Sequence, residues 1–350
     1  MEKVVVGLSG GVDSFVTALL LQQRGYEVIG VTLALWKENE LAEVEAVCRK
    51  LKIPLLLRDR RELFRRIIVA PFIDSYLHAT TPSPCCLCNS YVKWALLDQV
   101  AWEVGATRIA TGHYVRIIRK DGLYYICRGI DLHKDQSYFL WGVPQAILAK
   151  AITPLGDFTK IQVKNWASEQ GYQRLAAKKE SMGICFLEGK DYREFIQGYL
   201  GEEKTETPGD ILDRQGRLLG KHHGLLHYTI GQKRGIPSHG GQAFYVAEID
   251  EARNIIIADT KSGLLKMSLK IGQTHISCHD DLQATDITVK IRGIGLNPQG
   301  FVSIEKLLQG HLRIHLSDPA WAVAPGQPVA LYRGDRLIGG GIVEREKCEV

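Results

Sequence analysis

The sequence predicts an α/β protein in which a doubly wound parallel sheet is followed by two small, mainly β domains. Two observations lead to this fold class. The first third alternates β-branched apolar runs with stretches of helical periodicity, and repeated strand–helix units of this length build parallel sheets. Beyond about Gly198 the sequence is rich in Gly, Pro and short β-type runs. A chain of 350 residues exceeds one ordinary domain, and we predict three, at 1–197, 198–266 and 267–350.

The elements follow in order along the chain. Strands are predicted at Val4–Leu8, Val28–Leu35, Ile53–Leu57 and Arg108–Ala110, and helices at Phe15–Gln23, Leu41–Leu51 and Tyr91–Val104. A hairpin with an Asp-Gly turn is predicted over Tyr114–Arg128, and helical stretches from Tyr138 to Gly171. The runs AFYVAEID, NIIIAD, DITVKIR, LRIHL and PVALYR predict strands in the remainder.

The composition narrows the possible cellular compartments and binding partners of the protein. With 45% hydrophobic and 24% charged residues and no long apolar span, we expect a cytoplasmic protein without membrane contact. Met1 leads directly into a strand, which leaves no room for a signal peptide. The net charge of +5 permits a nucleic-acid partner without requiring one. Eight cysteines are too few for a disulfide scaffold, so their clustering indicates metal or sulfur chemistry.

The stretch SGGVDS stands between the first strand and the first helix. Gly10 and Gly11 can turn backbone N–H groups toward a phosphate, and Ser9 and Ser14 add hydroxyl donors at the helix N-terminus. Phosphate would repel Asp13 unless Mg²⁺ lies between them, which predicts a metal-bridging role. The alternative is a Gly-Gly turn with an Asp or Ser cap. The loop lacks the lysine of a Walker A motif.

SGGVDS resembles the PP-loop signature of the ATP pyrophosphatases. These enzymes cleave ATP between the α and β phosphates, transfer AMP to a substrate oxygen and release pyrophosphate. The resemblance implies an adenine nucleotide α-hydrolase-like domain. No γ-phosphoryl group is transferred in that reaction, so no lysine in the loop is needed to hold one.

A second cluster lies in TTPSPCCLCNSYVKW, where Cys85 and Cys88 have metal-ligand or redox spacing. The alternative is two incidental loop cysteines. Cys185 follows in SMGICF, and no CxxC or HxxxH partner supplies a fourth ligand for a closed zinc site. Three thiolates would suit an iron–sulfur cluster, or a reactive site with one open position.

The order of the motifs is more specific than any one of them. After SGGVDS come TPSPCCLCN, ATGHY, KDQSYFL, GICF, HYTIGQKRGI, APGQPVALY and GGGIV. Together they resemble the tRNA-specific 2-thiouridylases, which thiolate the wobble uridine (U34) of tRNAs for Lys, Glu and Gln. The resemblance implies ATP and Mg²⁺ as cofactors, tRNA and a sulfur donor protein or hydrosulfide source as partners, and a C-terminal β-barrel.

The resemblance also implies a role for individual residues. It assigns ATP binding to Gly7, Leu8, Ser9, Gly10, Gly11, Val12, Asp13, Ser14, Leu33 and Gly112. It assigns contacts with the target base to Ser83, Pro84 and Cys85. It assigns other tRNA contacts to His113, Lys134, Asp135, Gln136, Arg292 and Gln327. Cys88 matches the catalytic cysteine of the family, and Cys185 matches the cysteine that carries or positions sulfur.

Two departures from the family pattern bear on these roles. Many members carry Asp at the position of Cys85, and with Asp the site is a two-cysteine persulfide pair that ends in a disulfide. With Cys85, Cys88 and Cys185, the chain resembles thiolases that hold a [4Fe–4S] cluster by three cysteines, and we favour the cluster. In KIRGIGLNP, Gly293 stands where the family carries Tyr beside Arg292.

Basic segments fit an RNA partner, although each alone is also typical of a solvated surface. They are RDRRELFRR, KNWASEQGYQRLAAKKE, GKHHG and GQKRG. Three other functions remain open. The chain could be an argininosuccinate-type or amidating synthetase, a thiolase for another tRNA position, or a non-catalytic RNA-binding or iron–sulfur module.

Overall fold

The structure, a computed structural model, describes residues 1–37, 41–178, 183–201, 207–293 and 295–346. Cys348, Ile294 of KIRGIGLNP, the last two residues of KNWASEQGYQRLAAKKE and the first two of SMGICF lie outside the described residues. The chain divides into two units. The first contains Met1–Ile68, Cys85–Met182 and Tyr332–Gly339, and the second contains Val69–Pro84, Gly183–Leu331 and Gly340–Val350. No helix in the described part of the chain is long and apolar enough to cross a membrane.

The α-helices are numbered in chain order. They are α1 (Val12–Gln23), α2 (Leu41–Leu51), α3 (Arg61–Phe64), α4 (Ala70–Leu77), α5 (Pro84–Cys88), α6 (Trp94–Glu103), α7 (Gln145–Leu148), α8 (Lys160–Glu169), α9 (Gln173–Ala177) and α10 (Tyr192–Leu200).

The β-strands are numbered in the same way. They are β1 (Lys3–Gly7), β2 (Glu27–Ala34), β3 (Leu55–Asp59), β4 (Arg108–Ala110), β5 (Val115–Lys120), β6 (Leu123–Arg128), β7 (Ala151–Ile152), β8 (Gly209–Asp213), β9 (Leu218–His222), β10 (Tyr245–Asp250), β11 (Ile255–Asp259), β12 (Leu265–Ile276), β13 (Ile287–Lys290), β14 (Val302–Lys306), β15 (Leu312–Trp321), β16 (Pro328–Arg333) and β17 (Arg336–Val343).

A five-stranded parallel sheet in the order β3-β2-β1-β4-β7 forms the centre of the first unit, which confirms the predicted parallel sheet. Val4 of β1 pairs with Val28 of β2, and Val5 pairs with Ile109 of β4. The three valines of β1 are fully buried, because the central strand of such a sheet is covered on both faces. Carboxyl ends of parallel strands share one edge, so the loop after β1 is placed where ligands bind in such folds.

Two segments of the first unit differ from the sequence prediction. The predicted helix Tyr91–Val104 begins earlier, because α5, a π-helical segment at Asn89–Lys93 and α6 follow one another directly. The predicted helical stretch from Tyr138 to Gly171 contains β7, whose Ala151 pairs with Ile109. Two residues are too few to produce a periodic pattern, so β7 was missed.

The hairpin prediction is confirmed by β5 and β6, which pair in an antiparallel ladder closed by Asp121 and Gly122. Both turn residues have positive φ, as the two-residue hairpin turn requires.

The second unit contains the predicted short strands. Strands β10, β11, β8 and β9 form one sheet, with a core that includes Ile211, Val246 and Ile256. A further sheet has the order β13-β16-β17-β12-β15-β14. Those parts of β16 and β17 that fall within Tyr332–Gly339 group with the first unit. The domain boundaries at 197 and 266 stay a prediction.

Candidate active site

The SGGVDS loop connects β1 to α1 and is held by one hydroxyl. Gly10 has a φ of +76°, and Gly11 is the extended N-cap of α1. The Ser14 hydroxyl donates to the Gly11 carbonyl over 3.0 Å and accepts from the Ser9 amide over 3.1 Å. The first amides of a helix have no partner within it, so this loop directs hydrogen-bond donors and the positive end of the helix dipole toward one point. That arrangement can bind an anion.

Asp13, in the first turn of α1, makes an ion pair that the sequence did not predict. The Lys160 ammonium lies 2.7 Å from both Asp13 carboxylate oxygens, and the Tyr114 hydroxyl donates to Oδ1 over 2.7 Å. The Lys160 side chain is only 8% exposed, whereas that of Asp13 is 33% exposed. A positive charge is therefore built into the phosphate loop by a residue 147 positions away.

The local structure explains how Lys160 is positioned. Thr159 and Gln162 form a capping box that starts α8 at Lys160. The Lys160 amide donates to the Asp131 carboxylate over 2.9 Å. A lysine in the first turn opposes the helix dipole, and such a position favours acidic residues instead. This conflict was the sequence signal that could have identified Lys160 as functional.

The other predicted ATP residues converge on the same edge of the sheet. A Cβ on Gly112 would lie 3.0 Å from the Asp13 carbonyl carbon and 3.1 Å from the Ser14 amide nitrogen, so only glycine allows the segment after β4 to approach α1. Leu33 lies near the carboxyl end of the neighbouring strand β2 and is half-buried. Beside the loop, Val44 of α2 and Leu175 of α9 line a narrow apolar cleft.

The cysteines of α5 face different surroundings. Cys85 is half-buried and Cys88 is 5% exposed, and their i, i+3 spacing places them on one side of the helix. Cys86 is buried, with its Sγ 3.8 Å from the Tyr138 carbonyl oxygen, so it packs as a core residue. The π-helical segment after Cys88 is of a kind often found at functional sites.

Cys185 begins a short 3₁₀-helix in the second unit and is exposed. The next residue, Phe186, is 2% exposed and packs edge-on against Phe72 of α4, with ring centroids 5.0 Å apart. The buried phenylalanine therefore anchors the turn that presents the thiol. In the described parts of the chain, no three His, Cys, Asp or Glu side chains form a group that could hold a metal ion.

Several predicted tRNA contacts in the first unit have structural partners. Asp135 accepts hydrogen bonds from the amide and the hydroxyl of Ser137, and Gln136 Oε1 accepts from the Tyr114 amide over 3.0 Å. His113 Nδ1 lies 2.8 Å from the Thr111 hydroxyl. Burial lowers the pKa of His113 to about 3, so its ring is neutral near pH 7. Lys134 is half-buried.

The predicted contacts in the second unit lie in three separate segments. The loop with Ser83 and Pro84 rests on Gly326, whose φ is +88° and whose Cβ would lie 3.0 Å from the Thr81 amide nitrogen. Arg292 donates to the Trp321 and Ala322 carbonyls over 2.7 and 2.6 Å. Gln327 Oε1 accepts from the Ala324 amide over 3.0 Å.

The basic segment RDRRELFRR forms α3 and the start of a π-helical segment. Arg58 pairs with Glu103 over 2.8 Å, and Arg61 pairs with Asp59. Arg65 lies over the Trp36 ring at 5.7 Å. At least two of its five arginines are thus engaged within the protein.

Comparison with known proteins identifies the family. Residues 2–189 match the tRNA methyl transferase HUP domain, 193–259 the tRNA methyl transferase PRC-barrel domain and 267–343 the aminomethyltransferase β-barrel domain. The tRNA-specific 2-thiouridylase MnmA 2 of Phocaeicola vulgatus is 42% identical over 98% of each chain. The chain belongs to the tRNA-specific 2-thiouridylase family.

Two further relatives extend over the same length. The tRNA-specific 2-thiouridylase MnmA of Moorella thermoacetica is 39% identical and covers 97% of this chain and 99% of its own. The MnmA of Carboxydothermus hydrogenoformans is 36% identical over 98% of each chain. The family domains confirm the predicted fold class, an α/β domain followed by two β-domains that end in a β-barrel.

Proposed function

We propose that this chain catalyses ATP-dependent 2-thiolation of the wobble uridine, U34, in tRNAs of the Lys, Glu and Gln type. The observation that carries the proposal is the anion-binding loop at the start of α1, with Asp13 and Lys160 paired beside it. Family membership supports tRNA as substrate, because the relatives are named tRNA-specific 2-thiouridylases. The proposed location is the cytoplasm.

The chemistry begins with activation of an oxygen. Uracil C2 carries an amide-like carbonyl, and oxygen leaves poorly from it. Attack of that oxygen on the ATP α-phosphorus forms an adenylated uridine and releases pyrophosphate. The amides of Gly10, Gly11 and Val12 and the hydroxyl of Ser9 would hold the departing phosphates at the start of α1.

Lys160 adds an ion-pair partner to Asp13, for which we keep the predicted metal-bridging role. When Mg·ATP binds, Asp13 would turn a carboxylate oxygen toward Mg²⁺, which prefers such hard oxygen ligands. The Lys160 ammonium would then be released from the ion pair and move to the phosphate oxygens. Tyr114 would keep its hydrogen bond to Asp13 and orient the carboxylate. The lysine absent from the loop sequence is thereby supplied by α8.

A sulfur nucleophile then attacks C2, and AMP leaves. In the cluster version, Cys85, Cys88 and Cys185 would hold a [4Fe–4S] cluster, which would supply hydrosulfide as the sulfur nucleophile. The positions of Cys85 and Cys88 on one helix support two of these three ligands. In the persulfide version, the outer sulfur of a Cys185 persulfide attacks C2. The Cys88 thiolate would then attack Cys185 Sγ and break its bond to the sulfur now on C2, which releases the 2-thiouridine. A Cys88–Cys185 disulfide remains, and an external reductant must cleave it.

The proposed tRNA contacts differ in charge. We propose that the Lys134 ammonium binds phosphate, and that Asp135 and Gln136 shape the surrounding turn through their hydrogen bonds. Ser83, Pro84 and Cys85 would line the base, which must leave its stack to reach Cys88. Arg292 and Gln327 would present their loops to the backbone, and His113 would offer a neutral ring.

The test is anaerobic thiolation of an unmodified tRNA transcript for Glu, with nucleosides analysed by mass spectrometry and pyrophosphate measured in parallel. The wild type should produce 2-thiouridine at position 34 and release pyrophosphate only with tRNA. Cys88→Ser should abolish 2-thiouridine. Cys86→Ser is the matched control, because Cys86 is a neighbouring core thiol, and it should retain activity.

The outcomes also separate the alternatives. A synthetase of the argininosuccinate or amidating type would release pyrophosphate without tRNA, with or without Cys88, and a non-catalytic module would release no pyrophosphate. A thiolase for another tRNA position would produce its thiolated nucleoside at a position other than 34. Full turnover of metal-free protein with a persulfide donor would refute the cluster, whereas iron-dependent visible absorption that is lost in Cys85→Ala would support it.

A further inference from the structure

An open cleft of about 520 Å³ lies in the second unit and includes Trp321, whose carbonyl accepts from Arg292. It is formed by the start of β10, the turn after β11, the start of β12 and the end of β15. Tyr245, Trp321, Leu265 and Lys261 contribute its largest side chains. The cleft combines an aromatic corner with cations, which the proposed reaction does not use.

The aromatic corner is held rigidly. The rings of Tyr245 and Trp321 are perpendicular, with centroids 5.7 Å apart at an angle of 89°. The Trp321 indole N–H donates to the Lys261 carbonyl over 3.1 Å, which fixes the ring orientation. On its other side, a Cβ at Gly231 would lie 3.2 Å from the indole and 2.7 Å from the Ala322 Cβ. Glycine therefore lets the GQKRG turn pack directly against the corner.

Apolar side chains continue the corner along β12. Leu265 lies directly opposite Trp321 in the β12–β15 ladder and is 48% exposed. Met267, two residues further along, is 54% exposed and lies where the β12–β15 register shifts. The aromatic corner and these exposed aliphatic side chains together form an apolar surface. Such a surface can pack against the face and the edge of a planar ring.

Four exposed cations belong to the segments that form or contact the cleft. Lys261 lines it, Lys266 follows Leu265 in β12, and Lys233 and Arg234 belong to the turn that begins at Gly231. Within the described residues none of the four has an ion-pair partner. The neighbouring carboxylate of Asp259 is already paired with Arg214. The rim is therefore positive and available to anions.

We propose that this cleft binds an unpaired nucleotide of the tRNA, with its base against Trp321 and Tyr245 and its phosphates on the lysine rim. The identity of the RNA as tRNA rests on the proposed function. Base stacking on aromatic rings combined with a basic rim is the general mode of single-stranded RNA binding. Lysine is depleted in protein–protein interfaces, so four available cations favour RNA over a protein partner.

The experiment measures binding without ATP or a sulfur source. The probes are a fluorescein-labelled octa-adenylate and an unmodified tRNA transcript for Glu. Trp321→Leu should raise both dissociation constants by about 5- to 150-fold, because one stacked base contributes ~1–3 kcal/mol. Trp321→Phe should restore binding to within about 3-fold, since the ring remains. Trp102→Leu is the matched control, an 83% exposed tryptophan on α6, and should bind as the wild type does.

Two measurements keep the test independent of folding. The double variant Lys233→Gln/Lys261→Gln should lower the salt dependence of oligonucleotide binding by about 0.7 per lysine. Ultraviolet cross-linking of 5-iodouridine RNA to the wild type should place the adduct on Tyr245 or Trp321.

Unchanged affinity in Trp321→Leu, or adducts confined to other residues, overturns the proposal. If RNA affinity is unchanged while the KM for a sulfur donor protein rises, the cleft is a protein-docking surface and the proposal is also wrong. The RNA-affinity and cross-linking results do not depend on thiolation. An RNA-stacking cleft in a chain that makes no 2-thiouridine would refute the proposed function alone.

Discussion

The replacement Lys160→Met tests whether the phosphate loop borrows its positive charge from α8. Methionine keeps most of the aliphatic stem but leaves Asp13 with only the Tyr114 hydrogen bond described above. Removing one partner of a fully buried pair costs ~3–5 kcal/mol, whereas exposed pairs contribute ~0.2–1 kcal/mol. Lys160 is buried and Asp13 is one-third exposed, so we expect an intermediate loss of about 2 kcal/mol in the free energy of unfolding.

That loss corresponds to a fall in melting temperature of roughly 4–8 °C for the unit that contains the pair. Differential scanning calorimetry measures it. Asp13→Asn combined with Lys160→Met should recover part of the loss, because the double variant leaves no unpaired buried charge. The control is Lys150→Met. Lys150 also lies 2.7 Å from a carboxylate, Asp98, but its side chain is 44% exposed, so the expected cost is below ~1 kcal/mol.

The same variant should have a larger effect on the chemistry. Loss of one preorganised charge at a developing anion costs about 10²- to 10³-fold in rate, so tRNA-dependent pyrophosphate release should fall by that factor. Lys160→Arg, which retains the charge, should lose less. If Lys160→Met releases pyrophosphate within about 3-fold of the wild type and melts like Lys150→Met, the role that we assign to Lys160 is wrong.

The remaining predictions concern the sulfur site, a buried histidine and a packed turn. Cys88→Ser should leave tRNA-dependent pyrophosphate release within about 3-fold of the wild type while 2-thiouridine disappears, since adenylation precedes sulfur attack. Burial lowers the pKa of His113 to about 3, below its unfolded value of ~6.5, so its contribution to stability is complete above pH 6.5 and is lost toward pH 3. Between pH 7 and 5 this loss is about 2 kcal/mol, and His113→Gln should flatten that part of the calorimetric pH profile. Gly326→Ala should reduce both melting temperature and thiolation, because its Cβ would meet the loop before α5, whereas Gly334→Ala, with no atom within 4 Å, should show only the ~1–2 kcal/mol of backbone strain. Equal effects at the two glycines would contradict this packing argument.

Much of the fold could be predicted from local patterns. The apolar run Val4–Leu8 and the glycines after it indicate a buried strand and a loop–helix junction, and the structure contains both. The Asp121-Gly122 turn is likewise local chemistry. By contrast, β7 is defined only by its pairing with β4, since Ala151–Ile152 has no periodicity of its own.

The candidate site likewise contains features that local sequence predicts and features that it does not. SGGVDS is contiguous, so an anion-binding role could be predicted for it from residue type and spacing. Asp135 and Gln136 resemble exposed contacts in sequence, yet their side chains are used in hydrogen bonds to Ser137 and Tyr114. Whether a polar side chain is available to a ligand depends on its neighbours, which a single sequence does not specify.

The sequence by itself determined that a candidate phosphate loop follows β1 and that a cysteine pair lies at the start of a helix. These features depend on neighbours within a few positions, where covalent connectivity sets the geometry. Only the tertiary structure revealed that Lys160 pairs with Asp13 across 147 positions. An ion pair requires proximity in space, and that proximity arises from the packing of α8 beside α1 rather than from any motif.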